Sequence, residues 1–158
     1  MKKGSLTKIR KQLLIAAVCL ALILPGAFFA YRGWYVPFAV EREKQAVLKA
    51  AHEFLDAEKR RDYPAVYASF ASSSAYARSH TYNEYLAQAQ ASPEHVADYR
   101  IVAVNYIQDN EDREKYPLAE KFAQVEVEVT FLHRDTKSYS DLNIGFIFIK
   151  ERGRWYKS

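Results

Sequence analysis

Five basic side chains followed by a long uncharged apolar run constrain this chain more than any other feature. Lys2, Lys3, Lys8, Arg10 and Lys11 stand before residues 13–31, a stretch with no charged side chain. As a helix rising about 1.5 Å per residue, that stretch covers a hydrocarbon core of roughly 30 Å. Tyr31, Trp34 and Tyr35 follow, amphipathic rings suited to the headgroup level, and Arg32 can snorkel beside them. The pattern predicts one transmembrane helix that meets the lipid bilayer through residues 13–31. Cleavage after Ala27 or Ala30 would place Pro25 or Phe28 where a signal peptidase needs a small residue, so an uncleaved signal anchor is expected. Cys19 reads as a small hydrophobe within the span. Basic flanks favour the cytoplasmic side. The expected topology is therefore a cytoplasmic tail at 1–11, an anchor with its aromatic interface at 12–36, and an extracytoplasmic, periplasmic domain at 37–158.

Charge then excludes one class of partner. The chain carries 23 basic against 19 acidic side chains, net +4. Removing the five tail residues leaves a slight acidic excess, so no basic surface remains for a phosphate backbone and no nucleic acid is expected. The single cysteine lies in the apolar run, so the outer domain forms no disulfide. The absence of any Asn-x-Ser/Thr site agrees with a bacterial envelope protein.

Periodicity divides the outer domain in two. Over residues 37–61, Val47, Leu48, Ala51, Phe54 and Leu55 form one apolar helical stripe, with Pro37 suited to the first turn. Asp62 reads as an N-cap before Pro64, giving a short helix to residue 70. Residues 71–79 read as a Ser/Ala loop. Thr81 and Glu84 have the spacing of a capping box opening a helix to about Ala91. Strands follow over 99–107, 122–133 and 139–149, with a final short one ending in Trp155 and Tyr156. Val125, Val127, Val129 and Phe131 alternate with polar residues, and Leu142, Ile144, Phe146 and Phe148 should form the matching inner face, with Gly145 at a bend or bulge. Helices first and strands afterwards indicate an α+β domain with helices on one face of an antiparallel sheet.

Phe54-Leu55-Asp56-Ala57, then Arg61-Asp62-Tyr63-Pro64-Ala65-Val66-Tyr67, a capped helix, three strands and a close in Gly153-Arg154-Trp155 resemble the nuclear transport factor 2-like superfamily over residues 38–157. The resemblance implies a cone-shaped fold, N-terminal helices closing a curved antiparallel sheet. It also implies a range of uses: isomerases and dehydratases, ligand-binding modules, adaptors and periplasmic scaffolds. Membrane-tethered members are commonly domains of unknown function.

Candidate sites are few. The inner faces of the two best-defined strands are apolar and offer no general base. His52, Tyr63, Tyr67 and Tyr106 are the candidates for lining a small-ligand cavity, with His52 beside Tyr67. His80, His95 and His133 read as surface or turn residues. No pair of histidines has metal-ligand spacing, and residues 109–112 lack the glycine and spacing of a calcium loop, so neither a metal nor another cofactor is expected. Ile147 and Ile149 should point away from Phe146 and Phe148, making both faces of that strand apolar. The expected function is therefore non-catalytic: a membrane-tethered module that associates through its sheet with a second copy or an envelope protein. The alternative is small-ligand binding in the cone, and behind it a cavity enzyme using His52 with a tyrosine.

Overall fold

A computed structural model describes residues 31–158. The anchor expected at 13–31 lies outside the described residues except for Tyr31, and the side chains of Trp34 and Tyr35 also lie outside them. Among the described residues no helix is long and apolar enough to cross a membrane. A π-helical turn at Tyr31–Tyr35 leads into α1, Val36–Arg60. Glu43–Ser158 forms a compact unit of its own.

Within that unit α1 buries Val47, Ala51, Phe54, Leu55 and Ala57, the stripe expected from its 3.6-residue period. Asp62 caps α2, Tyr63–Ala68, by accepting from the Ala65 amide at 3.2 Å, with Pro64 inside the first turn. The expected Ser/Ala loop is only partly a loop. It contains α3, Ala75–Ser79, whose Ala77 amide donates to Ser74 Oγ at 3.1 Å. The capping box opens α4, Tyr82–Ala91: Glu84 N donates to Thr81 Oγ1 at 3.4 Å, and Thr81 N donates back to Glu84 at 2.7 Å.

Four antiparallel strands complete the unit in chain order: β1 Glu94–Asp109, β2 Lys121–His133, β3 Tyr139–Glu151 and β4 Arg154–Lys157. β1 begins earlier than its hydrophobic run suggested. It slips register three times, at Val96/Asp98, Ile101/Ala103 and Val104/Tyr106, and such bulges curve a sheet. Val125, Val127 and Val129 are fully buried against α1, as their alternation required. Leu142 departs from expectation and is 53 % exposed. β4 pairs only with Phe148–Glu151, so the earlier part of β3 has no second neighbour among the described residues. Gly145 makes no bulge. It pairs regularly with Glu126, and a Cβ there would lie 2.5 Å from Gln124 Nε2.

Two polar clamps tie distant segments to the end of β3. Lys150 Nζ donates to Glu43 Oε1 at 2.5 Å and Trp155 Nε1 to Glu43 Oε2 at 3.1 Å. Glu151, buried, accepts from Ser72 Oγ at 2.7 Å, from Ser73 N at 2.9 Å and from Ser73 Oγ. Burial alone would raise the Glu151 pKa, but these hydrogen bonds outweigh it and hold the carboxyl below its usual range.

Candidate functional site: a cavity between helices and sheet

The C-terminal turn of α1, the middle and end of α4 and the opening of β1 border a partly open cavity of about 410 Å³. Phe54, Phe131, Ile144 and Phe146 give it an apolar floor, and Phe54 meets Phe146 edge to face at 5.7 Å. Its polar lining includes Glu58, Arg61, Tyr63, Tyr85, Glu94, His95 and Arg134, with Tyr76, Gln88 and Ser92 beside them. An apolar body with a few convergent polar groups is the usual form of a small-ligand site.

Each polar group reaches the cavity for a local reason. Glu58 lies four residues after Phe54 on the same face of α1, so the buried stripe carries a carboxylate into an apolar wall. Desolvation raises its pKa, and no group among the described residues hydrogen-bonds its side chain. Arg61 ends α1 in the left-handed region at φ 56°. Its amide donates to Glu58 O at 3.0 Å and the Asp62 amide to Ala57 O at 2.9 Å, the paired bonds of a Schellman cap. Glycine is the ordinary occupant of that position, because it lacks the Cβ that makes the conformation costly.

His95 and Arg134 both line the cavity where β1 opens and β2 ends. Arg134 is anchored by its backbone, which donates to Pro93 O at 2.8 Å. Among the described residues, two buried side-chain nitrogens have no hydrogen-bond partner, His95 Nδ1 and Arg134 Nε. Both residues line this cavity. Desolvation, then the charges of Arg61 and Arg134, push the His95 pKa down, so its ring stays neutral at pH 7. Burial, then Glu58, pushes the Tyr85 hydroxyl up. The Glu94 carboxylate is committed to His133 Nδ1 at 3.1 Å.

The residues expected from sequence divide among three places. Tyr63 alone of the four ligand candidates lines the cavity. Tyr67 donates to His80 O at 2.8 Å within an aromatic cluster with Tyr82 and Tyr85. His52 is corrected: it lies exposed on the outside of α1, not beside Tyr67, with Nδ1 2.9 Å from the Tyr99 hydroxyl. Tyr99 donates to Asp56 at 2.7 Å, and burial followed by that acceptor pushes its pKa up to about 12. Tyr106 is corrected as well. It is 62 % exposed and shares a shallow depression with Gln124 and Ile147, because its register partner Gln124 faces outward from the sheet.

The two isoleucines separate. Ile147 is 40 % exposed, whereas Ile149 is 1 % exposed, covered by Ala71 and Ala119 with Tyr116, Phe122 and Tyr156. Sequence reasoning missed Glu58, Arg61, His95 and Arg134. Glu58 had a signal, its place on the apolar stripe at the spacing of Ala51, Phe54 and Leu55. Among the described residues no group of three His, Cys, Asp or Glu side chains could hold a metal.

No family model matches the sequence, and no curated protein sequence matches it. Solved structures do resemble it. A ketosteroid isomerase-like protein from Erwinia carotovora atroseptica aligns at TM-score 0.51 and 16% identity, over 73% of this chain and 90% of that one. A protein of unknown function with a cystatin-like fold from Nostoc punctiforme aligns at TM-score 0.46 and 17% identity, over 72% and 84% respectively. At such identities the likeness speaks for fold alone. The fold is α+β, helices packed on a four-stranded antiparallel sheet, and is consistent with the nuclear transport factor 2-like fold.

Proposed function

We propose that this chain is a membrane-tethered member of the nuclear transport factor 2-like superfamily whose cavity binds a small molecule. The observation that carries the reading is the cavity's unsatisfied polarity. The residues that carry both orphaned nitrogens, and Glu58, whose side chain has no hydrogen bond among the described residues, line one space large enough for a small ligand. A buried polar group without a partner costs about 1–3 kcal/mol, and a ligand supplying the missing bonds recovers part of that. The apolar run at 13–31 with its basic flank supports attachment to the membrane with the domain outside. Native mass spectrometry of the full chain, taken directly from its membrane, tests the binding reading. Wild type should carry a small-molecule adduct that is lost in Ala89→Trp, which fills the cavity; identical spectra would reject it.

Association through the sheet is the second reading. Ile149 is covered by the chain itself, so this reading rests on the exposed pair Tyr106 and Ile147. A photoreactive residue at position 147 should crosslink to a second copy or to one envelope protein. Recovery of monomer alone removes the idea.

A further inference from the structure

We infer that the ligand of this cavity is an organic anion, an apolar body ending in a carboxylate or phosphate held between Arg61, Arg134 and His95. The inference rests on the ligand-binding reading above and specifies its chemistry. Three observations independent of one another point to it.

Arg61 occupies a backbone position where glycine is favoured, so its side chain is present at a conformational cost. Non-glycine residues held at positive φ concentrate at ligand clamps. Arg134 brings a second guanidinium: Nη1 donates to Gln90 O at a long 3.4 Å and the buried Nε has no acceptor, so donors remain for an anionic oxygen. His95 Nδ1 is the other orphan. In a neutral ring one nitrogen can donate, so the imidazole adds a hydrogen bond without adding charge.

Two carboxylates also line the cavity. Glu94 is turned toward His133 Nδ1 at 3.1 Å and its side chain is 45 % exposed, where solvent screens its charge. Burial raises the Glu58 pKa, which weakens the opposition of its carboxyl to a bound anion. Phe54, Phe131 and Phe146 fit the apolar body, and they make the head's environment one of low dielectric where charge-assisted bonds are strong.

The test compares three probes on the full chain by calorimetry: phenylacetate, its neutral isostere phenylacetamide, and phenyl phosphate. At least one anion should bind ~10-fold or more tightly than the amide, the difference expected of one charge-assisted contact. The stronger anion identifies the head as carboxylate or phosphate. Arg61→Gly should weaken that anion by about tenfold, leave the amide unchanged and raise the melting temperature, because glycine relieves the strained cap. Arg134→Gln should also weaken the anion selectively. Equal affinity for amide and anions would overturn the anion assignment and leave the cavity reading intact. Failure of all three probes to bind would overturn both. Unchanged anion affinity in both arginine variants would place the anion elsewhere and reject the site.

Discussion

Glu151 and Glu58 are two half-to-fully enclosed carboxylates of one domain, and they answer burial in opposite ways. Glu151, at the end of β3, collects hydrogen bonds from Ser72 and Ser73 and is held below the usual carboxylate range. Glu58, on the last turn of α1, has no partner and is pushed above it. Burial is similar in kind; what differs is the supply of donors. The first arrangement spends its polarity on holding a loop, and the second leaves its polarity available. The two acids are thus distinguished by hydrogen bonds rather than by depth.

The sharpest way to break this comparison is to remove each acid. Glu151→Ala leaves the buried Ser73 amide without an acceptor and should cost about 3 kcal/mol, read from the urea midpoint. A loss below about 1 kcal/mol would mean the Ser72–Ser73 loop is held by other contacts.

The pH dependence follows with opposite signs. Unfolded, both carboxyls titrate near 4.5. Glu151, depressed when folded, contributes stability that is present above that value and lost as pH falls through its folded pKa. Glu58, raised when folded, contributes stability that is complete below 4.5 and lost as pH rises through its folded pKa. Glu151→Gln should therefore flatten the acid limb of the stability curve, and Glu58→Gln the limb above 4.5, where the variant should exceed wild type. Loss of the same limb in both variants would contradict the distinction.

Smaller effects refine it. Arg61→Gly should stabilise by about 0.5–1 kcal/mol in thermal unfolding, since the φ of 56° suits glycine. His52→Ala should change stability by less than about 0.5 kcal/mol, because its bond to Tyr99 is exposed and Asp56 still accepts from that hydroxyl. A larger loss would restore a structural role to a residue the cavity does not use.

What the sequence made legible was local. The Thr81–Glu84 box, the Asp62 cap and the Val125, Val127, Val129 alternation each follow from neighbours within a few residues, and each stands in the structure. What it hid was brought together over distance. Ile149 loses its solvent to Ala71 and Ala119, which no strand pattern reveals. Residues 109–112 carry no motif, yet Asn110 is buried, donating to Tyr116 O at 2.8 Å and Ala119 O at 2.9 Å. His95 escaped because β1 starts at Glu94, ahead of its hydrophobic run, and Arg134 because turn residues carry no periodic signal. The helix and strand framework was readable, whereas the charged lining of the cavity depended on how the framework closed.

The Glu43 clamp has a consequence for how this protein is made. Its partners Lys150 and Trp155 lie 107 and 112 residues further along the chain. At about 5–20 residues per second, α1 waits roughly 5–20 s after leaving the ribosome before the strand end that secures it has been translated. Until β1 and β2 have been made, the stripe of Val47, Ala51, Phe54 and Leu55 has no sheet to cover it, and until β3 ends it lacks the clamp. A nascent chain halted before β3 should remain sensitive to protease and bound by chaperones, and release of the last strand should end both together. The cavity lining runs from Phe54 to Phe146, so the cavity is assembled only once β3 has been made.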